Sequence, residues 1–282
     1  PQWFFQGIEK MKYITFITIL SKVLFTILIF LFIHKRSDYL YVSIFQGLGA
    51  FFSGFIAIYI LKAREKVVFS LQSKKVLRYY FLESLPLFIS TASIQVYVNA
   101  NRILVGAFLG MTEVAFYDLG EKILRLIKIP IGMFGQATFP MLVREKSISK
   151  INKMMKFTVL FTIFFILIIF FSTNFIIKII GGNGMDNAAV IIKILSFSAI
   201  MTAFSQFLGT SRLIVFGFQK DFTKVILSSG IAFCFGALLL IVTKNVLLTT
   251  LAWLVVIVEL WGMLCLLVMS YKNKILLDKD FK

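Results

Sequence analysis

The sequence is poor in the residues that build metal sites and covalent active sites. Its 282 residues include one histidine, His34, and two cysteines, Cys234 and Cys265. His34 has no cysteine or histidine companion, and both cysteines fall inside apolar runs, where we expect them to act as small apolar fillers. No phosphate-binding loop, nucleophile–base set or metal-ligand spacing is recognisable. The sequence therefore predicts no enzyme activity, no metal and no cofactor.

Acidic residues are scarce as well. Asp and Glu number 13 against 30 Lys and Arg, and the formal net charge is +17. A nucleic-acid-binding protein would gather such charge in one patch or tail, whereas these basic residues lie between apolar runs. Their distribution favours a membrane protein whose loops follow the positive-inside rule, with no nucleic-acid partner.

Apolar residues, by contrast, are abundant. They make up 59% of the chain, and the mean hydropathy is +0.92, whereas soluble domains are about 45–50% apolar. Eight runs reach the roughly 20 residues that a membrane-spanning helix needs, and they are too long and too uniformly apolar for the strands of an outer-membrane barrel. The sequence thus predicts an all-α integral membrane protein with eight transmembrane helices. The predicted spans are 13–33, 42–61, 79–103, 113–141, 157–180, 188–215, 222–243 and 247–270.

The connecting segments fall into two sets that differ in charge. One set holds 19 Lys and Arg and the other holds three. The positive-inside rule predicts that the basic set is cytoplasmic, and eight spans return both termini to that side; in a bacterium the membrane would be the inner (plasma) membrane. The basic set is 1–12, 62–78, 144–156, 216–224 and 271–282, and the other set is 34–41, 104–112, 181–187 and 244–246.

Four stretches resemble a known family. "WFFQGIEKMKYIT" (3–15) is similar to the loop after the fourth span of Wzx-type polysaccharide flippases. "RILVGAFLG" (102–110), "VAFYDLGEKI" (114–123) and "IGMFGQATFPML" (131–142) resemble that family's seventh and eighth spans. The resemblance implies the multidrug/oligosaccharidyl-lipid/polysaccharide exporter fold, which has two six-helix lobes. It also implies the flipping of undecaprenyl-pyrophosphate-linked oligosaccharides for O-antigen or capsule assembly.

The resemblance also implies how the chain is divided. Residues 1–12 would be a cytoplasmic loop, because aromatic residues followed by lysines suit a segment at the membrane surface. Residues 13–61 would be the last two helices of an N-terminal lobe, and 62–78 the basic inter-lobe loop. The six-helix C-terminal lobe would occupy 79–271, followed by a cytoplasmic tail, 272–282. We therefore expect a fragment that lacks the first four spans and that inserts into the membrane without transporting.

Polar residues recur along one face of the third and sixth predicted spans, since residues three, four or seven apart share a helix face. Helix–helix hydrogen bonding needs only one or two such groups, so a stripe along a whole span favours a water-filled cavity. Lys193 and Arg212 lie near opposite ends of the sixth span. Instead of lining a cavity, their side chains could extend to the two membrane interfaces, and this alternative stays open. The third-span stripe is Ser84, Thr91, Gln95, Asn99 and Arg102, and the sixth-span stripe is Ser198, Thr202, Ser205, Gly209 and Arg212.

The fourth span carries a charged stripe. Asp118–Lys122 and Glu121–Arg125 are spaced i,i+4, so both are predicted ion pairs, which leaves Lys128 over. Arg125 lies at the centre of the span and is expected to face the lumen. The stripe is Asp118, Glu121, Lys122, Arg125, Gly132 and Gln136, with Lys128 at its edge.

Together the stripes predict a lumen tuned to an anion, because Arg and Lys suit pyrophosphate and polar uncharged groups suit a sugar chain. Asp118 and Glu121 are the candidate acids for coupling transport to a proton gradient. The candidate lumen residues are Arg102, Lys122, Arg125, Lys128, Arg212, Gln95, Asn99 and Gln136.

Two other functions remain open at this point. A drug or cation exporter of the same fold should have carboxylate-dominated stripes, and these are net basic. A membrane polysaccharide polymerase is expected to use a large external loop, and the longest predicted external loop, 104–112, has nine residues. The expected partners of a flippase are the lipid-linked oligosaccharide and membrane lipids, with a polymerase and a chain-length regulator as further candidates.

The topology leads to the first prediction. Single cysteines at Ser73, Ser149 and Asn183, in a background without Cys234 and Cys265, should divide between the two sides of the membrane. On intact cells, an impermeant thiol reagent should label the cysteine at Asn183 and spare the other two. Labelling at Ser73 or Ser149 without labelling at Asn183 would reverse the orientation.

Overall fold

The structure, a computed structural model, describes residues 2–35, 38–67, 70, 72–182 and 184–276. These residues form helices and turns, with no strand among them. Asn183 and the end of the predicted tail, 277–282, lie outside the described residues. The helices are α1 Gln2–Gly7, α2 Met11–Phe32, α3 Tyr39–Ala63, α4 Lys74–Leu109, α5 Met111–Glu145, α6 Ile148–Ile176, α7 Ala188–Ser205, α8 Gln219–Val242 and α9 Leu248–Lys272.

Eight helices, α2 to α9, are long and apolar enough to cross a membrane. This confirms the predicted all-α membrane protein with eight spans. The helix is the form that a lone apolar segment takes in lipid, because it satisfies its own backbone hydrogen bonds. Large apolar side chains such as Phe30 and Phe171 are 78% and 87% exposed, as expected where the neighbour is lipid.

Two predicted connecting segments, 104–112 and 144–156, are largely helical. Only Gly110 separates α4 from α5, and its φ of 94° suits a residue without a Cβ. Only Lys146 and Ser147 separate α5 from α6, and the Ser147 hydroxyl caps α6 by accepting from the Lys150 amide at 3.4 Å. Polarity marks where a helix leaves the membrane, but a helix can continue beyond that point into water.

Two helices carry π-helical extensions. Ile177–Gly181 follows α6 and Gln206–Ile214 follows α7. The wider turn of a π-helix changes which side chains share a face, and such segments are common at functional sites. The second extension therefore orients residues 206–214 differently from an uninterrupted α-helix.

The chain divides into two compact units, Pro1–Val76 and Leu77–Lys282. The first unit contains α1 to α3, and its core joins Phe5 of α1 to Ile17 of α2 and Ala57 of α3. Lys10, between α1 and α2, forms an ion pair of 2.6 Å with Glu65 just after α3. The division falls within the segment predicted as the inter-lobe loop, and the assignment of the units to two lobes stays a prediction.

In the second unit α7 is the central helix. Helices α5, α6 and α9 pack against it. Its buried residues include Ser196, Ser198, Ala199 and Ala203, and residues this small let membrane helices approach closely. The α7 helix therefore fixes the positions of its neighbours.

A close approach in the first unit gives the second prediction. A Cβ on Gly49 of α3 would lie 2.7 Å from the carbonyl oxygen of Ser21 in α2. Because a backbone atom cannot move aside, Gly49→Ala should destabilise the first unit by about 1–3 kcal/mol. Denaturant titration in detergent, followed by circular dichroism and Trp3 fluorescence, measures the effect.

Gly47, half a turn away, is the matched control. A Cβ there would meet nothing within 4 Å, so Gly47→Ala should be neutral or stabilise the helix by about 0.5–1 kcal/mol. Equal stabilities of the two variants would contradict the close packing of α2 on α3.

Candidate functional site

The second unit contains a cavity of about 370 Å³. Side chains from α5, α7 with its π-helical extension, α8 and α9 line it, together with Ile94 of α4. Apolar residues form much of the wall, so the polar groups stand out. The polar and charged lining residues are Glu121, Arg125, Lys128, Thr202, Ser205, Gln206, Thr210, Ser229 and Glu259.

On one side of the cavity, Lys128 of α5 binds Glu259 of α9. Lys128 Nζ lies 3.0 Å from Glu259 Oε1, and the Thr202 hydroxyl of α7 donates to Glu259 Oε2 at 3.5 Å. The expectation that Lys128 has no partner is therefore wrong. Lys128 and Glu259 are 131 residues apart. The sequence signal for this pair was the presence of an acidic residue, Glu259, within an apolar run.

Arg102 of α4 sits between two acids of α5. It binds Glu121 directly, and its Nη2 lies 3.3 Å from Asp118 Oδ1. The predicted pair Asp118–Lys122 is confirmed, with a distance of 2.9 Å. The predicted pair Glu121–Arg125 is wrong, because Glu121 is bound to Arg102 instead.

The turn at Gly110 explains this pairing. Helices α4 and α5 run antiparallel from Gly110, so residues at similar distances on either side of it meet. Arg102 thus reaches Asp118 and Glu121, and one residue earlier the Asn101 amide donates to the Tyr117 hydroxyl at 2.7 Å. The spacing of residues within α5 could not reveal that Arg102 of α4 competes with Arg125 for Glu121. The short turn at Gly110, which brings α4 and α5 together, could have indicated this competition.

Arg125 lines the cavity without a partner. It makes no hydrogen bond and no ion pair with any residue that the structure describes. Its expected acid, Glu121, is bound to Arg102, and the nearby Glu259 is bound to Lys128. The guanidinium is therefore available to an anion that enters the cavity.

Comparison with known proteins identifies the family. A family model described as "Polysaccharide biosynthesis protein" matches residues 1–146, which is more than half of the chain. The chain belongs to this family. Membership confirms the resemblance seen in the sequence.

Two relatives of this chain bear the name "Putative O-antigen transporter". The one from Escherichia coli (strain K12) is 28% identical over 240 residues, which cover 82% of this chain and 57% of the relative. The one from Shigella dysenteriae is 28% identical over 162 residues, which cover 57% of this chain and 41% of the relative. The chain thus spans about half the length of these curated relatives. No solved structure matches it significantly.

The cavity gathers some of the residues that the sequence singled out and leaves others outside. Arg125, Lys128 and Glu121 line it, and Arg102 reaches it through Glu121. Sequence reasoning missed Gln206 and Thr210 of the π-helical extension and Ser229 of α8. The predicted lumen residues absent from the lining are Gln95, Asn99, Arg102, Lys122, Gln136 and Arg212. Among the described residues, no group of His, Cys, Asp and Glu is arranged to hold a metal ion.

Arg212 belongs to the protein interior. Its side chain is 0% exposed and donates to Asn152 Oδ1 of α6. Its Nε and Nη1 have no hydrogen-bond partner among the described residues. Snorkelling to the interface is therefore wrong for Arg212. The side chain of Arg212 is buried inside the protein, and it links the π-helical extension of α7 to α6.

This buried contact gives the third prediction. Asn152→Leu removes the carbonyl acceptor and leaves a buried guanidinium unpaired, which should cost about 3 kcal/mol of stability. Arg212→Met removes the charge at similar volume and should cost less, since replacing a buried charge by an apolar side chain is often neutral. Unfolding in detergent measures both variants. A larger loss for Arg212→Met would show that the guanidinium itself stabilises the fold.

Proposed function

We propose that the chain is part of a flippase that moves undecaprenyl-pyrophosphate-linked oligosaccharides across the bacterial inner membrane, for O-antigen or capsular polysaccharide assembly. The family and the transporter names of the relatives support the class of function. The observation that carries the proposal is Arg125, which has no partner among the described residues and lines a cavity among membrane-spanning helices. A charge at membrane depth is costly and usually has a function.

The chemistry of the cavity suits a lipid-linked sugar pyrophosphate. The planar guanidinium of Arg125 can donate two parallel hydrogen bonds to phosphate oxygens. The hydroxyl and amide groups of Thr202, Ser205, Gln206 and Thr210 suit a sugar chain. The polyprenyl tail needs no polar cavity, because it can stay in the bilayer.

The charge balance of the cavity disfavours a drug or cation exporter, and the short turn between α4 and α5 disfavours a polymerase. The charged groups in and around the cavity leave one positive charge in excess, whereas a drug or cation exporter would need an excess of carboxylates. A polymerase with an external active-site loop has little room between α4 and α5, which only Gly110 separates. The cations are Arg102, Lys122, Arg125 and Lys128, and the acids are Asp118, Glu121 and Glu259.

Asp118 and Glu121 are proposed as the coupling acids. Both bind Arg102, so they join α5 to α4. A proton on Glu121 would remove the charge that attracts Arg102 and would loosen the two helices. An ion gradient could in this way drive the change between inward-open and outward-open states. A polymerase and a chain-length regulator are the proposed protein partners, because they would consume the flipped product.

Arg125 supplies the fourth prediction. Arg125→Gln, introduced on the chromosome of the source bacterium, should reduce surface polysaccharide about tenfold or more, since a charge-assisted hydrogen bond contributes about 1.5–3 kcal/mol. The lipid-linked precursor should accumulate inside the cell. Because Arg125 forms no hydrogen bond or ion pair with the described residues, the amount of protein should not change. Polysaccharide is measured by gel electrophoresis, precursor by mass spectrometry and protein by immunoblotting.

Two variants control this experiment. Arg125→Lys keeps the charge but loses the planar fork, so its defect should be milder. Lys178→Gln neutralises an exposed cation of the extension Ile177–Gly181, which does not line the cavity, and should transport normally. Normal polysaccharide in Arg125→Gln, or an equal defect in Lys178→Gln, would contradict a substrate-binding role for Arg125.

A further inference from the structure

A second cationic site lies on the other side of α7. At about 100° per residue, Lys193 and Phe197 lie roughly 160° around the helix from Leu195, which lines the cavity. Trp253 of α9 likewise lies roughly 160° around its helix from Val255, which also lines the cavity. Lys193, Phe197 and Trp253 therefore face away from the cavity, towards the outer surface of the second unit.

A row of three aromatic rings begins beside Lys193 on this surface. Its Nζ lies 5.0 Å from the ring centroid of Phe170 in α6. Phe170 contacts Phe197 edge-on at 6.4 Å, and Phe197 stacks on Trp253 at 6.3 Å. The three rings are 39–45% exposed. They form a continuous apolar wall, which we name the aromatic wall, beside one ammonium group.

The ammonium of Lys193 has no anionic partner within the part of the chain that the structure describes. It forms no hydrogen bond or ion pair with any described residue, and its one contact of note is the Phe170 ring. A ring face attracts a cation but cannot neutralise its charge. The site is thus complementary to a negatively charged group that arrives from outside the described residues.

The depth of Lys193 indicates what that group is. Lys193 lies five residues after the start of α7 and Trp253 five residues after the start of α9, which places both about 7 Å inside the helix ends. Tryptophan at such a depth is typical of the interface between headgroups and acyl chains. An extended lysine side chain can span the remaining distance to the level of the lipid phosphates.

We propose that Lys193 and the aromatic wall bind the phosphate of an anionic phospholipid, in the leaflet next to residues 184–187. The ammonium pairs with the phosphate as a point charge. The aromatic wall packs against the glycerol and the first acyl carbons. This site is separate from the cavity, and it does not depend on the proposed transport.

Native mass spectrometry of the purified 282-residue chain tests the fifth prediction. Dioleoyl phosphatidylglycerol should bind about fivefold more tightly than dioleoyl phosphatidylcholine, as expected for one lysine at an anionic surface. Lys193→Gln should abolish this preference and leave phosphatidylcholine binding unchanged, whereas Lys193→Arg should keep it. Phe170→Leu, which retains the charge, should lower the preference in part.

Lys178→Gln is the matched control. Lys178 lies at the same end of the unit, in the extension Ile177–Gly181, and is exposed without a ring contact. It should leave the preference intact. The proposal is overturned by equal binding of the two lipids to the unchanged protein, or by equal effects of Lys178→Gln and Lys193→Gln. Displacement of the lipid by an equal concentration of glycerol phosphate would also overturn it, since the site would then take soluble phosphate.

Discussion

The cavity depends on one ion-pair cluster, in which Arg102 of α4 binds both Asp118 and Glu121 of α5. At membrane depth a carboxylate needs a cation close by, because the apolar surroundings neither hydrate nor screen its charge. The single-residue turn at Gly110 brings Arg102 to both acids. Glu121 is held by α4 and forms no ion pair with Arg125 on its own helix. Among the described residues, Arg125 is therefore left unpaired because its expected acid is bound elsewhere.

The central helix α7 separates two surfaces of different chemistry. Its small buried residues bring α5, α6 and α9 close. One face of α7 lines the cavity, and another face points to the outer surface. Thr202 and Ser205 contribute hydroxyls to the cavity, while Lys193 and Phe197 belong to the aromatic surface. An all-round apolar helix would serve packing alone. This helix also places polar groups on two faces, and its π-helical extension adds Gln206 and Thr210 to the cavity lining.

The number and type of the helices could be predicted from the sequence, because the length of an apolar run is a local property and the bilayer sets its minimum. The helix ends could not be predicted in this way, since α6 includes Lys150 to Lys156, which lie outside the apolar run. Pairs within one helix were partly predictable: Asp118–Lys122 forms as the spacing indicates. The pairs that shape the cavity join different helices. Lys128–Glu259 links residues 131 apart, and nothing in the linear spacing records that contact.

Three cations that look alike in the sequence have different environments, and the environment decides what each can do. Arg212 is enclosed by protein and bound to Asn152, so an entering ligand cannot reach it without a rearrangement. Lys193 is open on the outer surface of its unit, where lipid is the solvent. Arg125 is open to a cavity lined with hydroxyls and amides. A positive charge in an apolar run is costly in each case, but only a cation that is both accessible and unpaired gains from binding an anion. Accessibility and pairing, more than charge, therefore identify a binding residue among membrane helices.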